Sequence, residues 1–157
     1  KMNHQNILVI LLALMISQKG WSQLEANRRL PLGEQNQAIP LQIGEAFPYH
    51  VSIIEPGKYL VIWNLPPGHY LYGHAFQFKL IQGQDNLELP VDFKLPQGLE
   101  KSDQFFGDIE AFYGNISVSL TLPTVPRPET QLVVEYQGCA DWGFCYPPQK
   151  DSQPLVP

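Results

Sequence analysis

Cys139 and Cys145 are the two side chains of this sequence best suited to chemistry, and they are its only cysteines. They sit in Gly138-Cys139-Ala140-Asp141-Trp142-Gly143-Phe144-Cys145-Tyr146-Pro147-Pro148. Thiols at this spacing can close a small ring through a turn. Gly143 can take the positive φ such a turn needs, and Gly138 relieves crowding before the first thiol. Three readings are open: a structural staple, a redox couple, or unpaired thiols. Loop-closure entropy for so short a ring is about 2.4 kcal/mol at best. That is a modest staple, which raises the weight of chemistry without excluding the staple. Exchange chemistry needs an exposed sulfur, in-line access for a thiolate and a second cysteine to resolve the mixed disulfide. Cys139, at the end of a strand, is the candidate for the sulfur shown to partners, with Cys145 as resolver, an order the sequence does not fix. Trp142, Phe144 and Tyr146 offer an apolar surface beside the pair. Asp141 would disfavour a thiolate if close to it, and no Lys, Arg or His adjoins either cysteine.

Other chemistries find less support. Two thiols at C-x5-C with four scattered histidines match no standard zinc spacing, so neither metal nor cofactor is expected. His69 or His74 would make a Cys-His pair only if the fold brought one to a sulfur; otherwise they read as turn and strand residues.

The rest of the chain must position the cysteine loop. At 157 residues it suits one domain with a real core, and 44% hydrophobic against 16% charged residues marks it as globular. Fifteen prolines and twelve glycines favour short strands joined by turns. The net charge of −5, without any Lys/Arg cluster, argues against nucleic acid. Ile7 to Ile16 is an unbroken apolar run, about half a membrane span but suited to the core of a secretory signal. Residues 1–23 are therefore expected to be a signal peptide and 24–157 an exported domain. Membrane contact is expected only through a parent protein.

Past a polar lead-in from Leu24 to Gln42, strands are expected at Phe47–Ile54 and Tyr59–Leu65, each closed by a Pro-Gly turn. His69 to Leu80 reads as one longer strand, with Tyr70, Tyr72, His74, Phe76, Phe78 and Leu80 on one face. A short strand surrounds Val91 and Phe93. Glu100 to Asn115 mixes Asp103, Asp108 and Glu110 with Phe105, Phe106, Phe112 and Tyr113, and its aromatics are either core plugs or a cap. Ile116–Leu122 alternates cleanly, and Gln131–Gln137 runs straight into Gly138-Cys139. Six or seven short strands imply an all-β, immunoglobulin-like antiparallel sandwich of two sheets.

The cysteine loop, from Tyr136 to Pro148, resembles almost residue for residue the N-terminal periplasmic domain of the bacterial thiol:disulfide interchange protein DsbD. Val61-Ile62-Trp63, Tyr70-Leu71-Tyr72, Leu95-Pro96-Gln97-Gly98 and Asp103-Gln104-Phe105-Phe106-Gly107 are collinear matches, and the likeness runs from Phe47 to Val156. The resemblance implies a thiol:disulfide oxidoreductase whose cysteines lie at one end of the sandwich beneath a cap loop. Such a domain accepts electrons from a thioredoxin-like domain. It passes them to periplasmic thioredoxin-like proteins serving disulfide isomerisation and cytochrome c maturation. By similarity Cys139 would form the mixed disulfide and Cys145 resolve it. Phe105 would shield the bridge beside Phe106, Asp103 would be the cap acid, and Tyr70 and Tyr72 would line the site with Asp141, Trp142, Phe144 and Tyr146. Gln104 stands where the family often has an acid, and Phe106 where it has a tyrosine. The rival reading is a protein-binding sandwich with an inert disulfide.

Overall fold

A computed structural model describes residues 39–82, 87–123 and 125–155. The signal-peptide expectation and the boundary at residue 24 fall outside them. A single helical turn, α1 (Ile43–Ala46), precedes the strands β1 (Tyr49–Glu55), β2 (Lys58–Asn64) and β3 (His69–Tyr72). A 3-10 turn at Gly73–Ala75 leads into β4 (Gln77–Ile81), β5 (Glu88–Pro90) and β6 (Asp92–Lys94). Next come β7 (Leu99–Asp103), β8 (Gly107–Tyr113) and β9 (Asn115–Thr121). The described chain closes with β10 (Gln131–Tyr136), β11 (Gly138–Ala140), β12 (Phe144–Cys145) and β13 (Gln149–Pro154).

The described domain is all-β, and among the described residues its strands form three antiparallel sheets where the sequence suggested two. The orders are β1-β2-β9-β6, β13-β10-β4-β5 and β12-β11-β3-β8-β7. The third sheet exists because the expected strand from His69 to Leu80 is broken. Gly73 packs so tightly that an added Cβ would lie 3.0 Å from the Phe112 ring and 3.2 Å from the Glu110 carbonyl oxygen. The chain turns there, so β3 joins one sheet and β4 another. The segment Glu100 to Asn115 is also resolved: β7 and β8 make a hairpin whose turn carries Gln104, Phe105 and Phe106.

Period-two burial explains how the first two sheets meet. Along β9, Ile116, Val118 and Leu120 are buried while Asn115, Ser117, Ser119 and Thr121 are exposed. Tyr59, Val61 and Trp63 do the same on β2, and both rows share one core cluster with Phe78, Leu80, Leu132, Val134 and Tyr136 of the second sheet. Trp63 is the hub, with its ring 5.7 Å from that of Tyr136 and 5.3 Å from that of Phe76. Aromatic edges at such spacings add roughly 0.5–1.5 kcal/mol per pair beyond area burial. β13 escaped the sequence reading because Gln149-Lys150-Asp151-Ser152-Gln153 has no apolar face; it is held by its six-residue ladder to β10. Among the described residues no helix is long and apolar enough to cross a membrane.

Candidate functional site

The third sheet carries the cysteines, and strand parity decides what surrounds them. Leu71 and Phe112 point from one face into the main core. Tyr70, Tyr72, Ile109, Ala111 and Cys139 form a second buried cluster, flanked by Tyr113 and Cys145. Cys139 pairs directly with Tyr70 across β11 and β3, and with Cys145 across β11 and β12. The two cysteines form a disulfide with their Cα atoms 4.0 Å apart. Gly143 takes φ +93° in the turn between them, as expected. Gly138 is required because a Cβ there would collide with the Tyr70 carbonyl and the Phe47 ring.

Tyr72 lies diagonally across the ladder from Cys139, a position from which long side chains still meet. Its hydroxyl is 2.8 Å from Cys139 Sγ and 3.6 Å from Cys145 Sγ. The same hydroxyl donates to Asp103 Oδ2 at 3.0 Å, and Tyr70 donates to that oxygen at 2.5 Å. Asp103 Oδ1 accepts from the backbone amides of Phe105 at 2.7 Å and Phe106 at 3.0 Å. One carboxylate thus orders the cap turn and ties it to the tyrosines over the disulfide. Burial alone would push the Asp103 carboxyl up. Hydrogen bonds from Tyr70, the two amides and Tyr72 outweigh that and hold it below the usual carboxylate range. Burial, then Asp103, pushes the Tyr70 hydroxyl up, and burial does the same to Tyr72, so both stay protonated donors.

A second tie, which the sequence analysis missed, joins residues 40 positions apart. Lys101 Nζ donates to Asp141 Oδ1 at 2.5 Å and to the Tyr113 hydroxyl at 2.7 Å, and Tyr113 donates to the same Asp141 oxygen at 2.8 Å. Burial would raise the Asp141 carboxyl, but bonds from Lys101 and Tyr113 bring it below its ordinary value. The acid expected to discourage a thiolate therefore arrives with its own cation. Lys101 stands two residues before Asp103 on β7, hence on the same face, and that parity was the available signal.

A cleft of about 330 Å³ lies between cap and cysteine loop, lined by Tyr70, Lys101, Asp103, Phe105, Trp142 and Cys145 among others. The two sulfurs differ in accessibility. Cys139 is 0% exposed beneath the tyrosines, whereas Cys145 is partly exposed and lines the cleft. The edge strand β12 leaves Cys145 open, and β11, flanked on both sides, encloses Cys139. Phe105 is 54% exposed and faces the cleft, while Phe106, 51% exposed, sets its ring 4.9 Å from those of Tyr72 and His74. Gln104 reaches the cysteine turn, since a Cβ on Gly143 would lie 3.2 Å from its Nε2. Trp142 packs edge-on against buried His69 at 5.0 Å. Phe144 and Tyr146 contact each other at 4.8 Å, and Tyr146 belongs to the main core, where it supports the loop from beneath. Among the described residues no group of three His, Cys, Asp or Glu side chains is placed to hold a metal.

The model of the family "Thiol:disulfide interchange protein DsbD, N-terminal" matches residues 37–157. The chain belongs to this family. It is 38% identical over 109 residues to thiol:disulfide interchange protein DsbD 1 of Pseudomonas aeruginosa, covering 69% of this chain and 18% of that protein. It is 33% identical over 154 residues to DsbD of Vibrio cholerae, covering 94% of this chain and 24% of that protein. The chain thus spans about a fifth of the length of these DsbD relatives. The reduced DsbD N-terminal domain of Neisseria meningitidis shares its fold with a TM-score of 0.63 at 26% identity, over 74% of this chain and 90% of that one. A complex between the DsbD and PilB N-terminal domains of the same organism contains a chain that superposes with a TM-score of 0.59 at 24% identity, over 73% and 85% of the two chains.

Proposed function

We propose that this DsbD-family domain is a periplasmic electron relay, exported by a signal peptide within residues 1–23. It accepts electrons from a thioredoxin-like domain and reduces periplasmic oxidoreductases, including those of disulfide isomerisation and cytochrome c maturation. The observation that carries this reading is the asymmetry of the disulfide: one sulfur buried, the other lining a cleft under a tethered cap.

In the loading step a partner thiolate attacks Cys145 Sγ, and the Cys139–Cys145 bond breaks. The electron pair stays on Cys139, which departs as a thiolate 2.8 Å from the Tyr72 hydroxyl, whose single proton can turn from Asp103 to the sulfur while Tyr70 and the two amides still hold the carboxylate. The partner's second thiolate then attacks its own bridged sulfur and expels Cys145. The partner leaves as a disulfide, the domain as a dithiol, and the two protons of the partner's thiols end on Cys139 and Cys145 through solvent. Delivery runs in reverse. Cys145 attacks the acceptor's disulfide, and Cys139 resolves the mixed disulfide and releases the reduced acceptor.

Two finer features belong to the same reading. The first two sheets, packed through Trp63, Phe78 and Tyr136, are the halves of an immunoglobulin-like sandwich, with the cysteine sheet at one end. Phe105 is the removable shield, which keeps a reducing dithiol from discharging into wrong acceptors in an oxidising compartment. Mixing the oxidised domain with a reduced thioredoxin-like domain, then alkylating free thiols and weighing both proteins, tests the function. Two new thiols on this domain and their loss from the partner are expected. A bridge that survives equilibration with several such partners would reduce the disulfide to a structural staple.

A further inference from the structure

We propose that Lys101 is a positioning residue for this exchange chemistry: an ionic latch that joins the cap strand to the cysteine loop across the cleft that Cys145 lines. The inference deepens the relay reading and rests on it for its biological purpose, though not for its physics. Lys101 and Asp141 lie 40 positions apart, one on β7 and the other in the turn between the two cysteine strands. The Lys101 ammonium binds Asp141 and Tyr113 and also sits 4.1 Å from the centre of the Tyr70 ring. Tyr70 is the residue whose hydroxyl holds Asp103. One cation therefore touches the cysteine loop through Asp141 and the cap's inner tether through Tyr70.

Geometry makes the arrangement more than a surface ion pair. A single oxygen, Asp141 Oδ1, takes both the Lys101 and Tyr113 bonds, and the third side, between Nζ and the Tyr113 hydroxyl, closes at 2.7 Å. The ring face beneath Nζ adds a cation–π attraction that an uncharged side chain of the same length lacks. The Lys101 side chain is about a quarter exposed and that of Asp141 about half (28% and 46%), so salt reaches the pair and weakens it. Lys101, Asp141, Phe105 and Cys145 line the same cleft. Parting the cap from the cysteine loop at that point must part Lys101 from Asp141.

The test is the rate at which a small neutral dithiol reduces the oxidised domain at fixed pH. The parent is compared with Lys101→Met, Asp141→Asn, the double variant and Lys101→Arg, each at low salt and at about 1 M salt, where the Debye length is ~3 Å. The double variant keeps the net charge of the parent while removing the latch. It is expected to react about fivefold faster at low salt, the upper end for a half-exposed pair. High salt should quicken the parent more than the double variant, which shares the parent's net charge and so its general screening of the attacking thiolate, and Lys101→Arg should restore the parent's rate within about twofold. The two single variants should fail to add, because either one opens the latch. A parent-like rate in the double variant, additive single effects, or equal salt responses would overturn the proposal. A small thiol needs no partner protein, so failure here leaves the transfer assay untouched. Failure of transfer in the parent would refute the relay while leaving the latch measurable.

Discussion

Replacing Asp103 by Asn isolates the charge that holds the cap. In the parent, each carboxylate oxygen accepts two hydrogen bonds, from Tyr70 and Tyr72 on one side and from the Phe105 and Phe106 amides on the other. An asparagine oriented with its oxygen toward the amides presents its nitrogen to the hydroxyls. Tyr70 can turn to accept from that nitrogen, and Tyr72 can donate to Cys139 Sγ, already 2.8 Å away. The net loss is close to one charge-assisted bond, about 2 kcal/mol. That corresponds to roughly 6–10 °C in Tm for a domain of this size. The sign with pH follows from the direction of the shift. The Asp103 carboxyl is held below its unfolded value of about 3.9, so its stabilisation is complete above that value and is lost as pH falls through the lower folded one. Urea unfolding of both oxidised proteins should therefore show a gap of about 2 kcal/mol at neutral pH that narrows steadily in acid. A neutral-pH gap under about 0.5 kcal/mol, within the range of ordinary surface substitutions, would refute the reasoning. A gap that stays constant into strong acid would do the same.

Three further outcomes are expected. Phe105→Ala should leave unfolding within about 0.5 kcal/mol of the parent, because the ring is half exposed, yet speed oxidation of the dithiol by a small disulfide reagent several-fold; equal oxidation rates would end its role as a shield. Gly138→Ala should destabilise by roughly 2–4 kcal/mol, since its Cβ meets the Tyr70 carbonyl and Phe47 ring with no room to relax, and thermal melting decides it. Tyr72→Phe should slow reduction by a small thiol about threefold, the worth of a hydrogen bond to the departing thiolate less the one to Asp103 that Tyr72 gives up; an unchanged rate would remove Tyr72 from the chemistry.

Part of this architecture was legible in the sequence. The alternation from Ile116 to Leu122 gave β9 its buried face, and the Pro-Gly turns bounded β2, because both signals are local. The cysteine loop announced a turn, and Gly143 supplied it. What the sequence hid is non-local. A strand that changes sheets at Gly73 looks continuous until Phe112 and Glu110 are packed against it. β13 carries no apolar pattern, since an edge strand with two wet faces needs none. Which of the two sulfurs is exposed depends on which strand lies at the sheet edge, and that emerges only from the pairing of β11 with β3. Lys101 and Asp141 meet through a hairpin that folds 40 residues of separation into one salt bridge. The fourfold hydrogen bonding of Asp103 arises in the same way, from a turn laid across tyrosines more than 30 residues away.

The account rests on Cys145 being the sulfur that partners reach, with Cys139 waiting beneath it. Reduced Cys139→Ala and reduced Cys145→Ala, each mixed with a thioredoxin-like domain that keeps only its exposed cysteine, activated as a mixed disulfide with a small aromatic thiol, and analysed by intact-mass spectrometry without reductant, address this directly. Cys139→Ala should accumulate a mixed disulfide through Cys145, because neither protein then keeps a second thiol to release it, while Cys145→Ala should stay unmodified. A covalent complex formed through Cys139 in the Cys145→Ala protein, with none in the other, would contradict the account.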